Sequence, residues 1–546
     1  MKRFMENHTG KTYDLAIIGG GITGAAVAYD AASRGLSVAL VEKGDFGAAT
    51  SSATSKLIHG GLRYLATMEF SLVRESLRER KTLENIAPNF VYPIAFMVTT
   101  NNAKITNTRP VIKAGMIMYD IFSWDKQLTW DKSKRIPLHR SITPAEVLRL
   151  EPNVKREGLT GASIYYDCVS IFPERLTLAF IKSAVKYGAD VSNYAKVTDF
   201  IKDAQGRIAG IKVHDLVTGA EKEINAALTI NCGGPWADII LGIAKKERPA
   251  EQLRRSEGIH VITRKLINDH VVGSITASGR HFFLIPWRGH SLIGTTDKEY
   301  IGSPDEYRVT KQSILELLHD VNSAFGNGDP ITYDDVLYSY GGLRPLVEDQ
   351  TEDVYESSRK YEIYDNADDG LDGLITVEGG KYTTSRNLAE NVMNVVIKKL
   401  KKKTGGMITA KEFLAGCEIP DMNAYLKNAV GKNSDFPEST VDYLARIYGT
   451  ELEKVLSLAR TNKEWARPLD RDGEMPAQVV YAVRSEMALT LKDIIFRRTG
   501  LGTLGNPGGD VLRVAAETAA AELGWDSART ASEIESAEKA LRVPQD

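Results

Sequence analysis

The sequence predicts a mixed α/β fold (α+β overall) with three parts: an α/β domain built from separated segments, an inserted antiparallel sheet and a helical C-terminal domain. Three observations predict it. An apolar strand, a glycine turn, a helix and a second strand follow one another between residues 13 and 42. Apolar and polar residues alternate over residues 255–300, as in antiparallel strands. Beyond the lysine-rich run at residues 398–403, helical periodicity dominates.

The first element is the segment YDLAIIGGGITG (residues 13–24), which has the pattern of a buried strand, a tight turn and a helix start. The helix is followed by LSVALVEKG, a second strand that ends at Glu42. Gly19, Gly21 and Gly24 would let the backbone approach a pyrophosphate at the helix N-terminus, while Glu42 would bind ribose hydroxyls. The unit therefore predicts a Rossmann-like dinucleotide site. Its acidic residue favours FAD or NAD over NADP.

Similar signals recur along the chain. Residues 176–191 predict a helix and a strand start, residues 228–238 a buried strand with a glycine turn, and residues 373–403 a strand, a glycine turn and a long helix. Within residues 91–155, VYPIAFMVTT predicts a strand, KAGMIMYDIFSW an apolar-rich helix and TPAEVLRLEP a helix capped by Thr143. The expected domains are a discontinuous cofactor domain (12–90, 156–245 and 345–403), a substrate domain (91–155 and 246–344) and a helical C-terminal domain (407–546).

The composition is that of an ordinary globular protein, with 43% hydrophobic and 26% charged residues. A formal net charge of −2 gives no general attraction to nucleic acid, so no such partner is expected. Cys168, Cys232 and Cys417 have no metal-ligand spacing, which predicts a reducing compartment and no metal site. The N-terminus lacks the apolar core of a signal peptide, and no apolar run approaches the ~20 residues of a membrane span. A cytoplasmic protein is therefore expected.

Two more glycine turns decide between FAD and NAD. One, at residues 231–236, ends a predicted strand; the other, at residues 378–381, ends a strand and opens a helix. A helix N-terminus aimed at a flavin would stabilise the anion of its reduced form. Each turn alone could be a simple helix cap, but their order along the chain favours FAD. The candidate contacts in these turns are Gly234, Gly380, Lys381, Tyr382 and Thr383.

The densest set of hydrogen-bond donors is TSSATSKLIHGGLRYL, residues 50–65. Short hydroxyl side chains and unhindered backbone suit a segment wrapped along FAD, and Arg63 with Tyr64 suits a phosphate. A solvated surface helix is the alternative, which the adjoining glycine pair disfavours. The candidate cofactor contacts in this segment are Thr50, Ser51, Ser52, Ser55, Lys56, His59 and Gly60.

Three cations stand in or beside glycine-rich turns: Arg63, Arg344 in YGGLRP and Lys381 in GGK. Arginine binds phosphate or carboxylate through two parallel hydrogen bonds. Together the three cations predict a small dianionic ligand such as a phosphate ester.

Oxidation of an alcohol carbon needs a base for the hydroxyl proton, and histidine is the usual choice. His260 lies in a predicted strand, EGIHVITR, where it could face a ring, although a lone strand histidine is more often structural. His59 is the other candidate and is expected to position its loop against the flavin. Asp297, in LIGTTD, is as well suited to supporting the fold as to chemistry.

Two segments are compatible with contact to an acidic bilayer: the apolar helix at residues 113–124 and the lysine run at residues 398–403. A packed helix and a solvated helix end are the simpler interpretations.

Taken in order, several motifs resemble the FAD-dependent glycerol-3-phosphate dehydrogenases of the aerobic type, flavoproteins of the D-amino-acid-oxidase-like superfamily. The motifs are YDLAIIGGGITGAAVAYDAASRGLSVALVEKGDF, TSSATSKLIHGGLRYL, IPWRGHSLIGTTD, YGGLRPL, GGKYTTSRNLAE and YAVRSEMALTLKDIIFRRTGLG. The likeness runs from about residue 12 to residue 510. KLIHGGLRYL and the C-terminal RRT motif are the most specific parts of it.

The resemblance implies an enzyme that oxidises sn-glycerol 3-phosphate to dihydroxyacetone phosphate by hydride transfer to flavin N5. It also implies that electrons pass to a membrane quinone and that attachment to the inner face of the cell membrane is peripheral. A homodimer is compatible with these features. The principal alternative is a glycerol-3-phosphate oxidase that uses O2 and releases H2O2. A flavin oxidase for amino or hydroxy acids and a non-catalytic FAD-sensing module are more distant alternatives.

By the family's pattern, Arg63, Tyr64, Arg344 and Lys381 fall where substrate is held, and His260 falls where a histidine faces it. The implied catalytic residues are His260, Arg344 and Lys381, and the role of base could be shared among them. The chain departs from the family at Glu378, where an aromatic or small apolar residue is usual. Its side chain is therefore expected to point away from the flavin.

Overall fold

The computed structural model describes residues 1–8, 10–65, 67–247, 253–275, 281–326, 329–346 and 361–546, without the side chains of Arg63 and Ile275. The strands are β1 (Tyr13–Ile18), β2 (Val38–Val41), β3 (Leu57–Ile58), β4 (Val91–Asn101), β5 (Arg140–Ile142), β6 (Leu159–Ser170), β7 (Asp190–Ser192), β8 (Ala195–Lys202), β9 (Ile208–Asp215), β10 (Glu221–Asn231), β11 (Arg255–Thr263), β12 (His270–Ile275), β13 (His281–Trp287), β14 (His290–Gly294), β15 (Lys298–Tyr300), β16 (Val336–Pro345), β17 (Tyr361–Asp365) and β18 (Leu374–Gly379).

The helices are α1 (Ile22–Ser33), α2 (Phe70–Ile86), α3 (Arg109–Phe122), α4 (Pro144–Leu150), α5 (Pro173–Lys186), α6 (Ala237–Lys245), α7 (Lys311–Ala324), α8 (Ser385–Leu400), α9 (Met422–Lys432), α10 (Glu438–Tyr448), α11 (Leu452–Thr461), α12 (Pro476–Glu486), α13 (Leu491–Asp493), α14 (Gly509–Leu523) and α15 (Ser527–Leu541). A π-helical turn, Ile494–Arg498, follows α13. The α4 N-cap is Thr143, as expected, and its hydroxyl accepts from the Glu146 N–H at 3.3 Å.

The first sheet has the order β17-β18-β10-β1-β2-β7, in which β18, β10, β1, β2 and β7 are parallel. Strands alternate the two faces of a sheet, so Leu15 and Ile17 of β1 point toward α1, α5 and α8. Ala16 and Ile18 point to the opposite face, where the antiparallel ribbon β8-β9-β10 packs. This is the Rossmann-like domain that the sequence predicts.

The second sheet has the order β15-β11-β14-β13-β12-β4-β6-β3, with β16 beside β11 and β5 beside β6. Its neighbours are antiparallel except β12 and β4, which run parallel and join the early half to the later half. On one face Phe96 belongs to an apolar cluster that also includes residues of α2, α3 and the C-terminal helices, and on the other Met97 belongs to a cluster with residues of α4 and α7.

The position of β6 differs from the expected domain boundaries. Residues 156–245 are expected in the cofactor domain, but β6 pairs with β4 along almost its whole length, from Val91–Ser170 to Asn101–Leu159. The strand therefore belongs to the second sheet. The chain returns to the first sheet only after Ser170, through α5 and β7.

The helical C-terminal domain is fastened to the cofactor domain by buried ion pairs. Asp45, just after β2, accepts two hydrogen bonds from Arg498 at 2.8 Å and one from Arg497 at 2.6 Å. Although burial alone would raise it, these guanidinium groups hold the pKa of Asp45 well below its ordinary value. Glu486 of α12 likewise pairs with Arg175 of α5 at 2.7 and 2.9 Å.

Glu486→Gln is expected to lower the free energy of unfolding by about 3–5 kcal/mol, because the Arg175 guanidinium stays buried beside a neutral partner. Burial alone would raise the pKa of Glu486, but Arg175 and Lys182 lower it to about 2 from its ordinary 4.5. A carboxyl with a lowered folded pKa stabilises the fold fully above its unfolded value. The contribution of Glu486 is therefore lost as pH falls from 4.5 to about 2.

Urea unfolding of both proteins at neutral pH and through this acidic range measures the difference, which should shrink as pH falls. Glu517→Gln is the matched control, because the Arg513–Glu517 pair is exposed (53% and 57%) and is worth less than about 1 kcal/mol. Equal stability of the Glu486→Gln variant and the parent at neutral pH would contradict the prediction.

Candidate functional site

A cavity of about 1950 Å³ is lined from both sheets. Its walls come from the β1–α1 turn, from residues 47–64, from the turn after β10 and from the turn after β18. The carboxyl ends of parallel strands meet at one edge of a sheet, which is why these turns, distant in sequence, converge there.

The β1–α1 turn depends on its glycines. Gly19 has φ +107°, and a Cβ there would lie 2.5 Å from the Cys232 carbonyl oxygen; a Cβ at Gly24 would lie 1.9 Å from the Gly19 carbonyl oxygen. Gly21, the N-cap of α1, has no side chain to cap the helix. The helix N-terminus therefore faces the cavity with its N–H groups, as a pyrophosphate needs. Gly24 does not line the cavity and instead allows α1 to approach β1.

Glu42 lines the cavity immediately after β2. Its two carboxylate oxygens accept hydrogen bonds from the N–H groups of Gly20 at 2.7 Å and Gly44 at 2.8 Å. Burial raises the pKa of this carboxyl, and the two N–H groups oppose that shift. The carboxylate is thus held in one orientation, and each oxygen keeps a lone pair for a ribose hydroxyl.

Four hydroxyl residues of the next segment line the cavity: Thr50, Ser51, Thr54 and Ser55. The Ser51 hydroxyl accepts from the Ile22 N–H at 2.9 Å, and the Thr50 hydroxyl donates to the Leu343 carbonyl at 2.6 Å. Ser55 lies 2.8 Å from the imidazole of His260. Ser52 does not line the cavity, contrary to expectation, because its hydroxyl donates to the Ala49 carbonyl of its own turn at 2.9 Å.

Lys56 was expected along the cofactor and also turns away from the cavity. Its ammonium is buried, forms an ion pair with Glu174 and lies 5.5 Å and 5.2 Å from the ring centroids of Trp287 and Tyr340. The backbone of Lys56 is in the left-handed region (φ +60°), which directs the side chain to the opposite side of the segment.

Gly60 has a packing role in place of the expected cofactor contact. A Cβ there would lie 2.4 Å from the Tyr119 hydroxyl, and the Gly60 N–H donates to Asp167 at 3.3 Å. The buried Asp167 also accepts from Tyr119 at 2.6 Å and from Arg80 at 2.5 Å. This network fixes the loop whose neighbour His59 lines the cavity.

The expected phosphate contacts lie on one wall. Tyr64 and Lys381 line the cavity, and the Lys381 ammonium is 4.6 Å from the Tyr64 ring centroid and donates to the Ser76 hydroxyl at 2.7 Å. The side chain of Arg63 lies outside the described residues; its backbone belongs to the 3-10 turn Leu62–Leu65.

Arg344 lines the same cavity with a firmly held guanidinium. Its two terminal nitrogens donate to the Thr295 hydroxyl at 2.7 Å and to the Thr296 carbonyl at 3.1 Å. Asp297 lies 3.6 Å away and also pairs with Ser256, so its place is beside the arginine. Thr295 was not among the predicted site residues, although it lies two residues before Asp297 in LIGTTD.

His260 is 1% exposed, and its ring stacks on Tyr340 with centroids 5.0 Å apart and planes at 18°. A Cβ at Gly294 would lie 2.2 Å from His260 Cδ2, so only a glycine at this position leaves room for the ring. Burial first, then the charges of Arg344 and Lys56, hold the pKa of His260 well below its ordinary value. The imidazole is therefore neutral. Tyr340, which also escaped the sequence argument, directly precedes the glycine pair of YGGLRP.

The turns after β10 and β18 complete the cavity. Gly234, Gly380, Lys381, Tyr382 and Thr383 all line it. Gly380 has φ +89°, and the Tyr382 hydroxyl donates to the Pro173 carbonyl at 2.5 Å, which ties the second turn to α5. Val377 and Gly379 line the cavity, whereas Glu378 between them does not.

Helix α3 presents an unusual outer face, formed by Val111, Ile117, Met118, Ile121 and the following Trp124, here called the α3 face. Ile117 is 45% exposed, Ile121 63% and Trp124 69%, although the inner residues of the helix are buried. The helix is therefore packed on its inner side and exposed on its outer side.

Two lysines of the run at 398–403 are paired with acidic side chains. Lys399 contacts Asp365 and Asp372, and Lys402 contacts Asp14. Its charge is thus partly neutralised by the protein itself. Across the part of the chain that the structure covers, no helix combines the length and the apolar character needed to cross a bilayer.

Two family descriptions match the chain. "FAD dependent oxidoreductase" matches residues 14–386, and "C-terminal domain of alpha-glycerophosphate oxidase" matches residues 407–530. The first covers the two sheets and the cavity, and the second covers most of the helical domain.

Named relatives extend over nearly the whole chain. A glycerol-3-phosphate dehydrogenase of Synechocystis is 34% identical over 96% of this chain and 95% of its own. The aerobic glycerol-3-phosphate dehydrogenase of Bacillus subtilis is 34% identical over 91% of this chain and 89% of its own.

Solved structures show the same fold. Glycerol-3-phosphate dehydrogenase from Bacillus halodurans, complexed with FAD, superposes with a TM-score of 0.77 at 28% identity, over 98% of this chain and 96% of that one. The L-alpha-glycerophosphate oxidase of Mycoplasma pneumoniae, with FAD bound, has a TM-score of 0.52 at 18% identity, over 72% of this chain and 96% of that one.

Proposed function

Because this chain belongs to the family of FAD-dependent glycerol-3-phosphate dehydrogenases, we propose that it oxidises sn-glycerol 3-phosphate to dihydroxyacetone phosphate and passes the electrons to a membrane quinone. The chain is an enzyme, and its cofactor is FAD. The observation that carries the proposal is that two cations, Arg344 and Lys381, share one cavity with the buried His260.

The residues along the cavity fit FAD. The N-terminus of α1 would hold the pyrophosphate, and Glu42 would hold a ribose. Gly380 and the short helix after it would face the pyrimidine edge of the flavin, with N–H groups that favour negative charge there. When bound, the flavin supplies N5 as the acceptor of a hydride from C2 of the substrate.

Arg344 and Lys381 support a phosphate ester as substrate. A dianion between them would be attracted by both charges, with Tyr64 beside the lysine and Arg63 as a further proposed contact. Fixing the phosphate end would also fix the distance and direction of C2, which removes much of the entropic barrier to reaction. The same cations would stabilise negative charge on the C2 oxygen as its proton leaves.

His260 is the proposed base for the C2 hydroxyl proton. A neutral imidazole can accept a proton, and its fixed ring keeps the accepting nitrogen in one place. As the proton leaves, the C2–H bond breaks with its electron pair, and the C2–O bond becomes a carbonyl. The net result is a ketone, one proton and one hydride.

A quinone acceptor is supported by apolar surface. The cavity is also lined by Val98, Tyr165, Phe283 and Ile112, and Ile112 belongs to the same helix as the α3 face. An exposed apolar patch of this kind marks an interaction surface. The exposed Arg109 and Lys113 of the same helix would favour an anionic bilayer. A lipid-soluble acceptor could then reach the flavin from the membrane.

The decisive test is anaerobic mixing of the purified holoprotein with glycerol 3-phosphate, followed separately by a quinone and by air. We expect rapid bleaching of the flavin, fast reoxidation by quinone and slow reoxidation by air. Rapid reoxidation in air with release of H2O2 would make the enzyme an oxidase, as the name of the matching C-terminal family would suggest. Failure of glycerol 3-phosphate to bleach the flavin would overturn the proposed substrate.

The double variant Ile117→Asp/Ile121→Asp is expected to bind anionic vesicles at least ~10-fold more weakly, because each buried isoleucine contributes about 1.5–3 kcal/mol. Sedimentation with vesicles of phosphatidylglycerol and phosphatidylcholine measures this. Reduction of a soluble dye by glycerol 3-phosphate should not change.

Leu216→Asp/Val217→Asp is the matched control for that prediction, because these residues are 48% and 51% exposed in the β9–β10 turn. Equal loss of vesicle binding in both double variants would rule out the α3 face as the membrane contact.

A further inference from the structure

His260 lines the cavity, and the hydroxyl of a second lining residue lies against one of its ring nitrogens. Its Nε2 lies 2.8 Å from the Ser55 hydroxyl oxygen, and its Nδ1 is buried without a hydrogen-bond partner among the described residues. Tyr340 stacks on one side of the ring and Gly294 lies against its edge, so the plane of the ring is held in place. Nε2 is therefore the nitrogen that can exchange a proton, and Ser55 is its neighbour.

Ser55 itself lines the cavity. A serine hydroxyl can donate one hydrogen bond and accept two, so it can donate to Nε2 while accepting from a ligand hydroxyl. The neighbouring residues make other contacts: the Thr54 hydroxyl accepts from the Lys56 N–H at 3.2 Å, Ser52 bonds within its own turn, and Lys56 pairs with Glu174. Of the hydroxyls in this segment, Ser55 is the one whose hydrogen bond reaches the histidine.

We propose that Ser55 relays the proton of the substrate C2 hydroxyl to His260. This inference rests on the proposed function and deepens it. The C2 hydroxyl proton passes to Ser55 Oγ as the Ser55 hydroxyl proton passes to His260 Nε2. The C2–H electron pair leaves with the hydride to the cofactor, and the C2–O bond becomes a carbonyl. After the ketone leaves, the proton on His260 returns to solvent through the same hydroxyl.

The surrounding charges influence how readily His260 accepts the relayed proton. Burial lowers the pKa of His260 most, and repulsion from the charges of Arg344 and Lys56 lowers it further. A phosphate dianion on Arg344 would offset that repulsion, so proton acceptance improves when the substrate is in place. Loss of the hydroxyl should consequently slow the chemical step far more than it weakens binding.

Ser55→Ala is expected to slow anaerobic flavin bleaching at saturating glycerol 3-phosphate by about 100-fold, within the range typical of proton transfer catalysis. The half-saturating concentration and the FAD content should stay within threefold of the parent. Ser55→Thr keeps a hydroxyl and should recover at least a tenth of the parent rate. Ser52→Ala, which removes a hydroxyl from the same segment but not from the cavity, should bleach at the parent rate.

A second readout does not depend on activity. In 15N-histidine-labelled protein, the Nε2 resonance of His260, assigned with a His260→Gln variant, should shift in Ser55→Ala and stay near its parent position in Ser52→Ala. This measures whether the hydroxyl holds the imidazole even if no substrate reacts.

The outcomes separate the two proposals. If glycerol 3-phosphate fails to bleach the parent protein, the proposed function falls, whatever the resonance of His260 shows. If the parent bleaches and Ser55→Ala bleaches as fast, the relay alone falls. Loss of FAD from Ser55→Ala would show that the serine helps to bind the cofactor, and it would also overturn the relay. A Ser55→Thr variant as slow as Ser55→Ala would show that the hydroxyl is not what matters.

Discussion

Arg344→Ala is expected to lower kcat/KM for glycerol 3-phosphate by about 10³-fold while leaving the FAD content unchanged. Its guanidinium is held by Thr295 and Thr296 with a rigid orientation toward the cavity, so little entropy is lost when an anion binds. Removing a charged partner of a buried ionic contact costs roughly 2–5 kcal/mol, and 4 kcal/mol corresponds to about 10³-fold. Steady-state kinetics with a soluble dye measures the change.

Two variants test the interpretation of that result. Arg344→Lys keeps the charge but loses the planar fork, so its kcat/KM should lie between the parent and the alanine variant. Arg264→Ala removes an exposed arginine that pairs with Asp335 near the same sheet, and it should have no effect. An unchanged KM and kcat for Arg344→Ala would contradict its assignment to the substrate.

Gly24→Ala is expected to yield protein with FAD affinity reduced by at least ~100-fold. The added Cβ would lie 1.9 Å from the Gly19 carbonyl oxygen, so α1 must move away from β1 and take its N-terminal N–H groups with it. The pyrophosphate would lose hydrogen bonds to charged oxygens, worth about 1.5–3 kcal/mol each. The ratio of flavin to protein absorbance after purification measures cofactor retention.

Gly431→Ala is the control for this effect. Gly431 lies in α9, and a Cβ there meets nothing within 4 Å. Alanine should stabilise that helix by up to about 1 kcal/mol and leave FAD bound. Full flavin content in Gly24→Ala would show that the helix N-terminus does not hold the cofactor.

Local signals predicted most of the fold. The strand, glycine turn and helix at residues 13–33, the apolar helix α3 and the helix α4 capped by Thr143 each depend on neighbours within a few residues. Strand β6, which lies in the second sheet and not in the expected cofactor domain, shows the limit of such signals. Its partner β4 lies about 60 residues earlier in the chain, and no local signal in either segment indicates that the two pair.

The site, like the fold, was predictable from the sequence only in part. Glycine turns at strand ends predicted where the cavity walls would meet, because parallel strands bring their carboxyl ends together. Side-chain direction within the segment from Thr50 to Gly60 was not predictable from composition. Lys56 turns away from the cavity because its backbone is left-handed and its ammonium pairs with Glu174, which is distant in sequence. Residue 60 has to be a glycine because a Cβ there would collide with the Tyr119 hydroxyl. The roles of Arg63 and His260 stay predictions until the variants are measured.

The discontinuous cofactor domain has a consequence for synthesis of the protein. Its central strand β1 is made first, but its neighbour β10 ends at Asn231, and β18 ends only at Gly379. At about 5–20 residues per second, the ribosome needs roughly 20–80 s to reach the last turn of the FAD cavity. Until then the N-terminal glycine turn has no complete sheet behind it. Capture of FAD therefore comes late in translation, when two-thirds of the chain has already emerged.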